Sequence, residues 1–461
     1  MCGVFGIRAP DRDVARVTYF GLFALQHRGQ ESAGIAVSDR GRLTALRDMG
    51  LVAQVFNEQN LSGLQGEVAI GHTRYSTTGS THWTNAQPIV QHGRARTVTL
   101  GHNGNLTNAE ELRSELAADG VRLSTTSDTE VIAALIANDP APLEEAVAGA
   151  MRRLEGAFTT VALAESTLIG FRDPHGFRPL SLGRIDGDAV LASETCALDL
   201  VGAELEREIA PGELVLISED GVRSVEAVPQ AGAGALCLFE FIYLARPDTR
   251  LAGIEVHSAR VRMGERLAEE APVEADLVMP APDSGTPAAI GFARASGIPF
   301  SEGLIKNRYV GRTFIEPDQG LREQGIRLKF NPLAEVAGKR VVLVDDSIVR
   351  GNTMRKIVAL LFEAGAQQVH VRISSPPIVS PCFYGIDFAD EEQLVASSRT
   401  VEQVREQIGA TSLAYLSLEG AQAATTRPEK EFCRACFTRT YPTRVPAGKT
   451  LAKFRFEPSR A

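Results

Sequence analysis

Hydrophobic positions divide the chain into two unlike halves. Up to about residue 230 they fall in short β-like runs, at 3–7, 34–37, 68–73, 97–100, 159–164, 189–192 and 213–217. Helical spacing interrupts the runs near 17–26, 109–118, 128–137 and 142–154. Many short strands with few helices between them predict antiparallel sheets packed with helices, an α+β fold. A run of Ala and Gly at 231–235 is expected to separate a first half, 2–230, from a second, 231–461.

From about 257 to 375 strand and helix alternate instead. Strands are predicted at 277–279, 303–305, 341–344 and 369–373, and helices at 287–295 and 354–364. This is the doubly wound α/β pattern. Val341-Val342-Leu343-Val344 shows no polar alternation, as expected of a parallel strand covered on both faces. Residues 312–331 are charged and contain Gly320 and Gly325, and a loop of that length reads as a lid. Thr400 and Gln403 have capping-box spacing and predict a helix start. The tail after Cys436, rich in Pro, Arg and Lys, lacks a core-forming pattern and is expected along the surface.

The 341–344 strand delivers Asp345 and Asp346 into a loop, Ser347-Ile348-Val349-Arg350-Gly351-Asn352-Thr353, that opens a helix. Ligands of parallel sheets sit beyond the carboxyl ends of the strands, where this loop would lie. Backbone N–H groups near Gly351, with the hydroxyls of Ser347 and Thr353, suit a phosphate at a helix start. Paired carboxylates suit vicinal sugar hydroxyls, directly or through Mg²⁺. Together these describe a ribose phosphate. Turning and capping explain one acidic residue at a strand end, but explain the whole thirteen-residue string poorly. The string resembles the phosphoribosylpyrophosphate signature of type I phosphoribosyltransferases. The resemblance implies that 347–353 holds the 5-phosphate and that Asp345 and Asp346 hold the ribose hydroxyls and metal.

Charge changes the picture next. Across 461 residues, 48 Lys and Arg against 57 Asp and Glu leave a net charge of −9, which argues against a general nucleic-acid binder. An anionic substrate then needs a local basic cluster, and Lys306, Arg308 and Arg312 supply one, although most such side chains are simply solvated. In the resembling family Lys306, Arg308 and the loop Asp283-Ser284-Gly285-Thr286 lie around the pyrophosphate, and Ser284 joins Asp345 and Asp346 around Mg²⁺. No apolar run approaches a membrane span and the start lacks signal-peptide regions, so a cytoplasmic protein is expected.

A cysteine at position 2 can become a nucleophile that carries its own base, once the initiator Met is removed and its α-amino group is freed. Alone, such a cysteine is commonplace. Gly71 to Gly79, Gly101 to Leu106 and Ser127 to Glu130 change that, because each places polar groups at a strand end or helix start. An Asn amide beside a glycine N–H, as at Asn103 and Gly104, is what an oxyanion hole requires. Arg74 can clamp a carboxylate and Asp128 can accept from an ammonium, which fits the ends of an amino acid. These motifs, with Cys2-Gly3-Val4-Phe5-Gly6, resemble the class II glutamine amidotransferase domain over about residues 2–230. The resemblance implies that Cys2 attacks the glutamine amide, Asn103 and Gly104 stabilise the oxyanion, and Arg74 and Asp128 hold the substrate's α-groups. Gly29, in the motif from Gln26 to Ser32, is given a structural role.

Six cysteines in a cytoplasmic chain are not expected to form disulfides. Cys433 and Cys436 form a C-x-x-C, with Cys237 and Cys382 distant, and four such thiolates suit either zinc or an iron–sulfur cluster. Nearly the whole chain resembles the amidophosphoribosyltransferase family, and the pattern of its cluster-bearing members favours a 4Fe-4S cluster on these four, with Cys196 a packed thiol. The family resemblance also implies glutamine and phosphoribosylpyrophosphate as substrates, purine nucleotides as inhibitors, a homotetramer, and a 312–331 lid that completes an internal ammonia route. Some cluster-bearing relatives carry a short propeptide; here only Met1 precedes the cysteine, so activation is expected to need methionine removal alone. A different amidotransferase would share only the first half, and a non-enzymatic phosphoribosylpyrophosphate-binding regulator only the second.

Overall fold

The computed structural model describes residues 1–76, 79–308, 329–388 and 391–445. In its first half two antiparallel sheets lie face to face. One has seven strands in the order Glu204–Glu208, Ser181–Ile185, Asp188–Ala192, Gly3–Arg8, Val68–Arg74, Ser32–Asp39, Arg42–Met49. The other has six, in the order Gly221–Glu226, Glu213–Ser218, Thr167–Arg172, Gly156–Ala164, Thr97–Leu106, Ile89–His92. Val4, Ile70, Val161, Leu168, Leu191 and Val215 interdigitate between them. Helices Val14–Ala24 and Thr195–Val201 cover the outer face of the first sheet, and Ala109–Ala118, Thr129–Asn138 and Leu143–Arg153 that of the second. The result is a four-layer sandwich, within the expected α+β class.

Every predicted run in this half lies in a sheet interior. None of the four edge strands has one; in three of them, Arg42–Met49, Glu204–Glu208 and Gly221–Glu226, no residue is buried and the hydrophobic signature is lost. Arg42–Met49, for instance, is exposed or half-exposed throughout. The helix expected at 17–26 begins earlier, where the Asp13 side chain accepts from the Arg16 N–H and caps it.

The second half holds a four-stranded parallel sheet in the order Leu277–Pro280, Arg340–Asp345, Gln368–Ile373, Ser412–Tyr415. Helices Val256–Glu270 and Thr286–Ser296 pack on one face with Val342 and Val344. Asn352–Glu363 and Val401–Ile408 pack on the other with Val341 and Leu343. Successive residues of the central strand thus enter opposite cores, which is why its sequence does not alternate. The capping box is present: Thr400 N donates to Gln403 Oε1 at 2.9 Å and Gln403 N to Thr400 Oγ1 at 3.3 Å.

One strand departs from the doubly wound expectation. Leu304–Lys306 pairs antiparallel with Phe330–Pro332 in a separate ribbon rather than joining the parallel sheet. Ile305 is exposed there, and a strand with one face in water cannot occupy a sheet covered on both faces. Of the stretch read as a lid, 312–328 lies outside the described residues. The described tail returns to the second half, with Tyr441 Oη donating to Pro381 O at 2.8 Å.

Candidate functional sites

Cys2 enters the central strand of the seven-stranded sheet, whose neighbour Val68–Arg74 pairs Thr73 with Gly3. That register carries Cys2 to the end of the strand bearing Arg74. The Cys2 backbone N–H donates to Asn103 Oδ1 at 3.2 Å, and Sγ contacts Tyr75 O at 3.6 Å. Asn103 is fully buried, and its Nδ2 finds no hydrogen-bond partner among the described residues. A buried amide donor without an acceptor is costly, and a developing oxyanion would satisfy it. Gly104 follows at φ +158°, and a Cβ there would lie 2.0 Å from Ala157 O.

Arg74 and Asp128 are buried, not solvated. Arg74 Nη1 donates to Ser80 O at 3.1 Å and stands 3.9 Å from Glu31 Oε2. Asp128 Oδ2 accepts from Leu106 N at 2.9 Å, which ties it to the strand that carries Asn103. The motif histidines are engaged elsewhere: His72 Nε2 bonds His102 O and His102 Nε2 bonds Ala157 O, each at 3.1 Å. Burial holds His72 down to about 3, so it stays neutral. Burial also pushes the Cys2 thiol above its ordinary range and lowers the Met1 amine to about 6. Gly29 bears out its structural reading, since a Cβ there would lie 2.4 Å from the Thr73 carbonyl carbon.

Asp345 and Asp346 end the central strand of the parallel sheet. Asp346 N donates to Asp345 Oδ1 at 2.9 Å, and Ser347 Oγ to Asp346 Oδ2 at 2.5 Å. Burial and the neighbouring Asp346 charge push the Asp345 carboxyl well above the usual carboxylate range. Two adjacent buried carboxylates repel each other, and a hard cation between them would relieve that repulsion. Ile348 and Val349 turn their side chains into the two cores, so only their backbone can face a ligand. Arg350 is exposed, and Gly351, at φ +77°, is the turn from which Asn352 and Thr353 begin the helix.

The neighbouring loop Asp283, Ser284, Gly285, Thr286 lies beside this one, because Pro280 pairs with Val344 in register. Ala281 N donates to Val344 O at 2.8 Å, and a Cβ on Gly285 would come within 2.3 Å of that oxygen. Lys306 Nζ reaches Asp283 Oδ2 at 2.6 Å. Arg308 is exposed at the end of its described segment, while Arg312 lies outside the described residues.

The four distant cysteines approach one another. Cys237 pairs with Cys433 in a two-stranded parallel ribbon, Val379 N donates to Cys436 O at 2.9 Å, and Tyr384 N donates to Cys382 Sγ at 3.4 Å. Burial raises the Cys237 thiol to about 11, and raises Cys433 and Cys436 with help from neighbouring thiols. Among the described residues no three His, Cys, Asp or Glu side chains stand close enough to hold a metal ion. Cys196 is packed beside Glu194, Sγ to Oε2 3.6 Å, apart from the set.

Sequence reading missed the groups that join the halves. Tyr75 Oη donates to Asp387 Oδ2 at 3.3 Å, and Asn105 Nδ2 to Phe383 O at 3.0 Å. Arg28 donates to both Glu194 and Glu240, and Arg178 Nη1 reaches Glu240 Oε1 at 3.2 Å. Tyr75, adjoining Arg74, carried a signal through its motif. The buried ion pairs carried none, since each partner alone reads as a surface charge.

Comparison with known proteins agrees with this two-site arrangement. Residues 72–200 match the glutamine amidotransferase domain family and 257–374 the phosphoribosyl transferase domain family. Amidophosphoribosyltransferase of Mycobacterium tuberculosis is 53% identical, over 98% of this chain and 88% of the relative. That of Archaeoglobus fulgidus is 50% identical, over 97% of this chain and 99% of the relative. The solved glutamine phosphoribosylpyrophosphate amidotransferase of Bacillus subtilis, complexed with ADP and GMP, superposes with a TM-score of 0.92 at 47% identity, covering 98% of this chain and 100% of that one.

Proposed function

The chain belongs to the amidophosphoribosyltransferase family, and from that premise we infer how its residues divide the reaction between two sites. The reaction is the glutamine-dependent amination of phosphoribosylpyrophosphate in purine biosynthesis. It yields 5-phosphoribosylamine, glutamate and pyrophosphate. Residues 2–230 form the glutaminase half and 231–461 the transferase half.

Removal of Met1 frees the Cys2 amine in surroundings whose burial already holds the Met1 amine near 6. The neutral amine takes the thiol proton, and the thiolate attacks the glutamine side-chain carbonyl carbon. Asn103 Nδ2 and the Gly104 N–H receive the oxyanion, while Arg74 and Asp128 hold the α-carboxylate and α-ammonium. Collapse expels ammonia, which carries the returned proton, and leaves a thioester that water opens to glutamate. The ammonia passes inside the protein to the second site and attacks the anomeric carbon with inversion. The bond to pyrophosphate breaks, and the nitrogen then loses a proton.

In the second site Ser347 to Thr353 hold the 5-phosphate, and Asp345 and Asp346 hold the ribose hydroxyls. Asp283 to Thr286, with Lys306 and Arg308, hold the pyrophosphate. Mg²⁺ bound by Ser284, Asp345 and Asp346 would neutralise charge on the departing group. Cys237, Cys382, Cys433 and Cys436 would hold a 4Fe-4S cluster that staples both ends of the second half. What supports a shared ligand is that the four, far apart in sequence, converge on one region, with Cys237 paired to Cys433 and Cys436 O accepting from Val379 N. By the same reading purine nucleotides act as inhibitors, the assembly is a tetramer and the enzyme is cytoplasmic.

The observation that carries the glutaminase reading is the Asn103 amide, one end on Cys2 and the other buried with no partner among the described residues. Its test is anaerobic pyrophosphate release with glutamine or ammonia as donor, for the native chain and Cys2→Ala. The variant is expected to lose only the glutamine-dependent reaction. Loss of both, or of neither, rejects Cys2 as the nucleophile of a separate site.

A further inference from the structure

Resting on the reading of Asn103 and Gly104 as the oxyanion hole, we propose that residues 383–385 of the second half are a positioning element for that hole. The backbone of Gly385 lies directly on that of Gly104. A Cβ added at Gly385, where φ is +100°, would come within 2.9 Å of Gly104 C and O and 3.1 Å of its Cα. On its other side Gly104 is stopped by the neighbouring strand, where its own Cβ would lie 2.0 Å from Ala157 O. Gly104 therefore lies between Ala157 and Gly385, with no space for a side chain on either glycine.

The clamp is held in place from behind. Phe383 O accepts from Asn105 Nδ2 at 3.0 Å, one residue past Gly104. Tyr384 O accepts from Arg178 Nε at 3.1 Å and Nη2 at 2.7 Å. Arg178 is itself fully buried and paired with Glu240, so the segment is tied to the first half through a buried guanidinium. In this role Gly385 acts through Gly104. The half that consumes the ammonia thereby aligns the donors that release it.

Steady-state kinetics of the full chain, with glutamine and with ammonia as donor, tests this on Gly385→Ala, Asn105→Ala and Asn103→Ala. Losing one oxyanion donor outright costs about 10²–10³ in kcat, so Gly385→Ala, which displaces a donor without deleting it, is expected to lower glutamine-dependent kcat by about 10- to 100-fold. The glutamine KM should stay within about threefold, because Arg74 and Asp128 are untouched. Ammonia-dependent synthesis should be unchanged. Asn105→Ala adds no bulk and no strained φ, so it reports on the same contact if Gly385→Ala folds poorly, with a smaller fall in kcat. If Asn103→Ala loses glutamine turnover while both other variants keep it, or lose it only through KM or together with the ammonia reaction, the positioning role is rejected and the oxyanion hole stands. If Asn103→Ala keeps full turnover, the oxyanion reading fails and the positioning role with it.

Discussion

Arg28 Nη2 donates to Glu240 Oε2 at 2.7 Å, and both side chains are fully shielded from water. The two residues are 212 positions apart, one in each half. The same guanidinium bonds Glu194, and Glu240 also receives Arg178. Burial disfavours the charge on Arg28, yet Glu194 and Glu240 outweigh it and keep the group ionised. Removing Arg28 leaves two buried carboxylates short of a partner. Arg28→Met is expected to lower unfolding free energy by about 3–5 kcal/mol, measured by urea titration. Glu240→Gln in the same background should recover part of that loss. A loss below about 1 kcal/mol would mean that water reaches the pair.

The buried N-terminal amine makes a prediction for pH. An amine whose pKa is lowered to about 6 is a free base above that value and is protonated below it. The freed Cys2 amine enters the same buried surroundings, so the acid limb of glutamine-dependent kcat/KM in the processed chain should lie below the ordinary α-amino value of about 8. A limb near the ordinary α-amino value of about 8 would show instead that the processed terminus is hydrated. Intact mass should show Met1 absent from the active fraction. Retained Met1 in a glutamine-active preparation would eliminate the N-terminal base.

Asp345 makes a prediction of opposite sign. Its carboxyl is raised by burial and by Asp346, so ionisation costs folded-state stability as pH rises from the unfolded carboxylate value through the folded one. In chelator at neutral pH, Asp345→Asn should raise the melting temperature, and the gain should shrink in saturating Mg²⁺. The same variant should lose pyrophosphate release with either nitrogen donor by at least about 100-fold, as expected when metal-mediated charge stabilisation is removed. A stabilised variant that retained ammonia-dependent activity would place the metal elsewhere.

The cysteines can be separated by substitution. Cys433→Ser is expected to lose iron, acid-labile sulfide and visible absorption in anaerobic preparations, with a lower melting temperature. Cys196→Ser should keep all three, since Cys196 is packed beside Glu194 outside the set. Zinc in place of iron in the native chain would overturn the cluster assignment while leaving the four ligands in place.

Much of this organisation was legible along the chain because it is encoded over short distances. The central strand 340–345 and the Gly351 turn appear where four apolar residues, two carboxylates and a glycine stand in succession. Seven interior strands of the sandwich follow from period and burial, though Thr167–Arg172 and Ser181–Ile185 were missed, and the Thr400 cap follows from two residues three apart. Asn103 beside Gly104 carries its chemistry in the dipeptide. Edge strands such as Arg42–Met49 were silent, because water on one side removes the need for apolar residues.

Pairings across long separations were not legible, since no local propensity marks them. Arg28 with Glu240, Asn105 with Phe383 and Gly104 beneath Gly385 exist because the two halves pack together and exclude water from charges and amides brought to one place. The placement of Leu304–Lys306 outside the parallel sheet is of the same kind, a choice of partner and not of conformation. Residue identities along the chain set the reactive groups and the strands that carry them. Burial between the halves set their ionisation and their alignment, because desolvation and close contact depend on what the whole fold brings near.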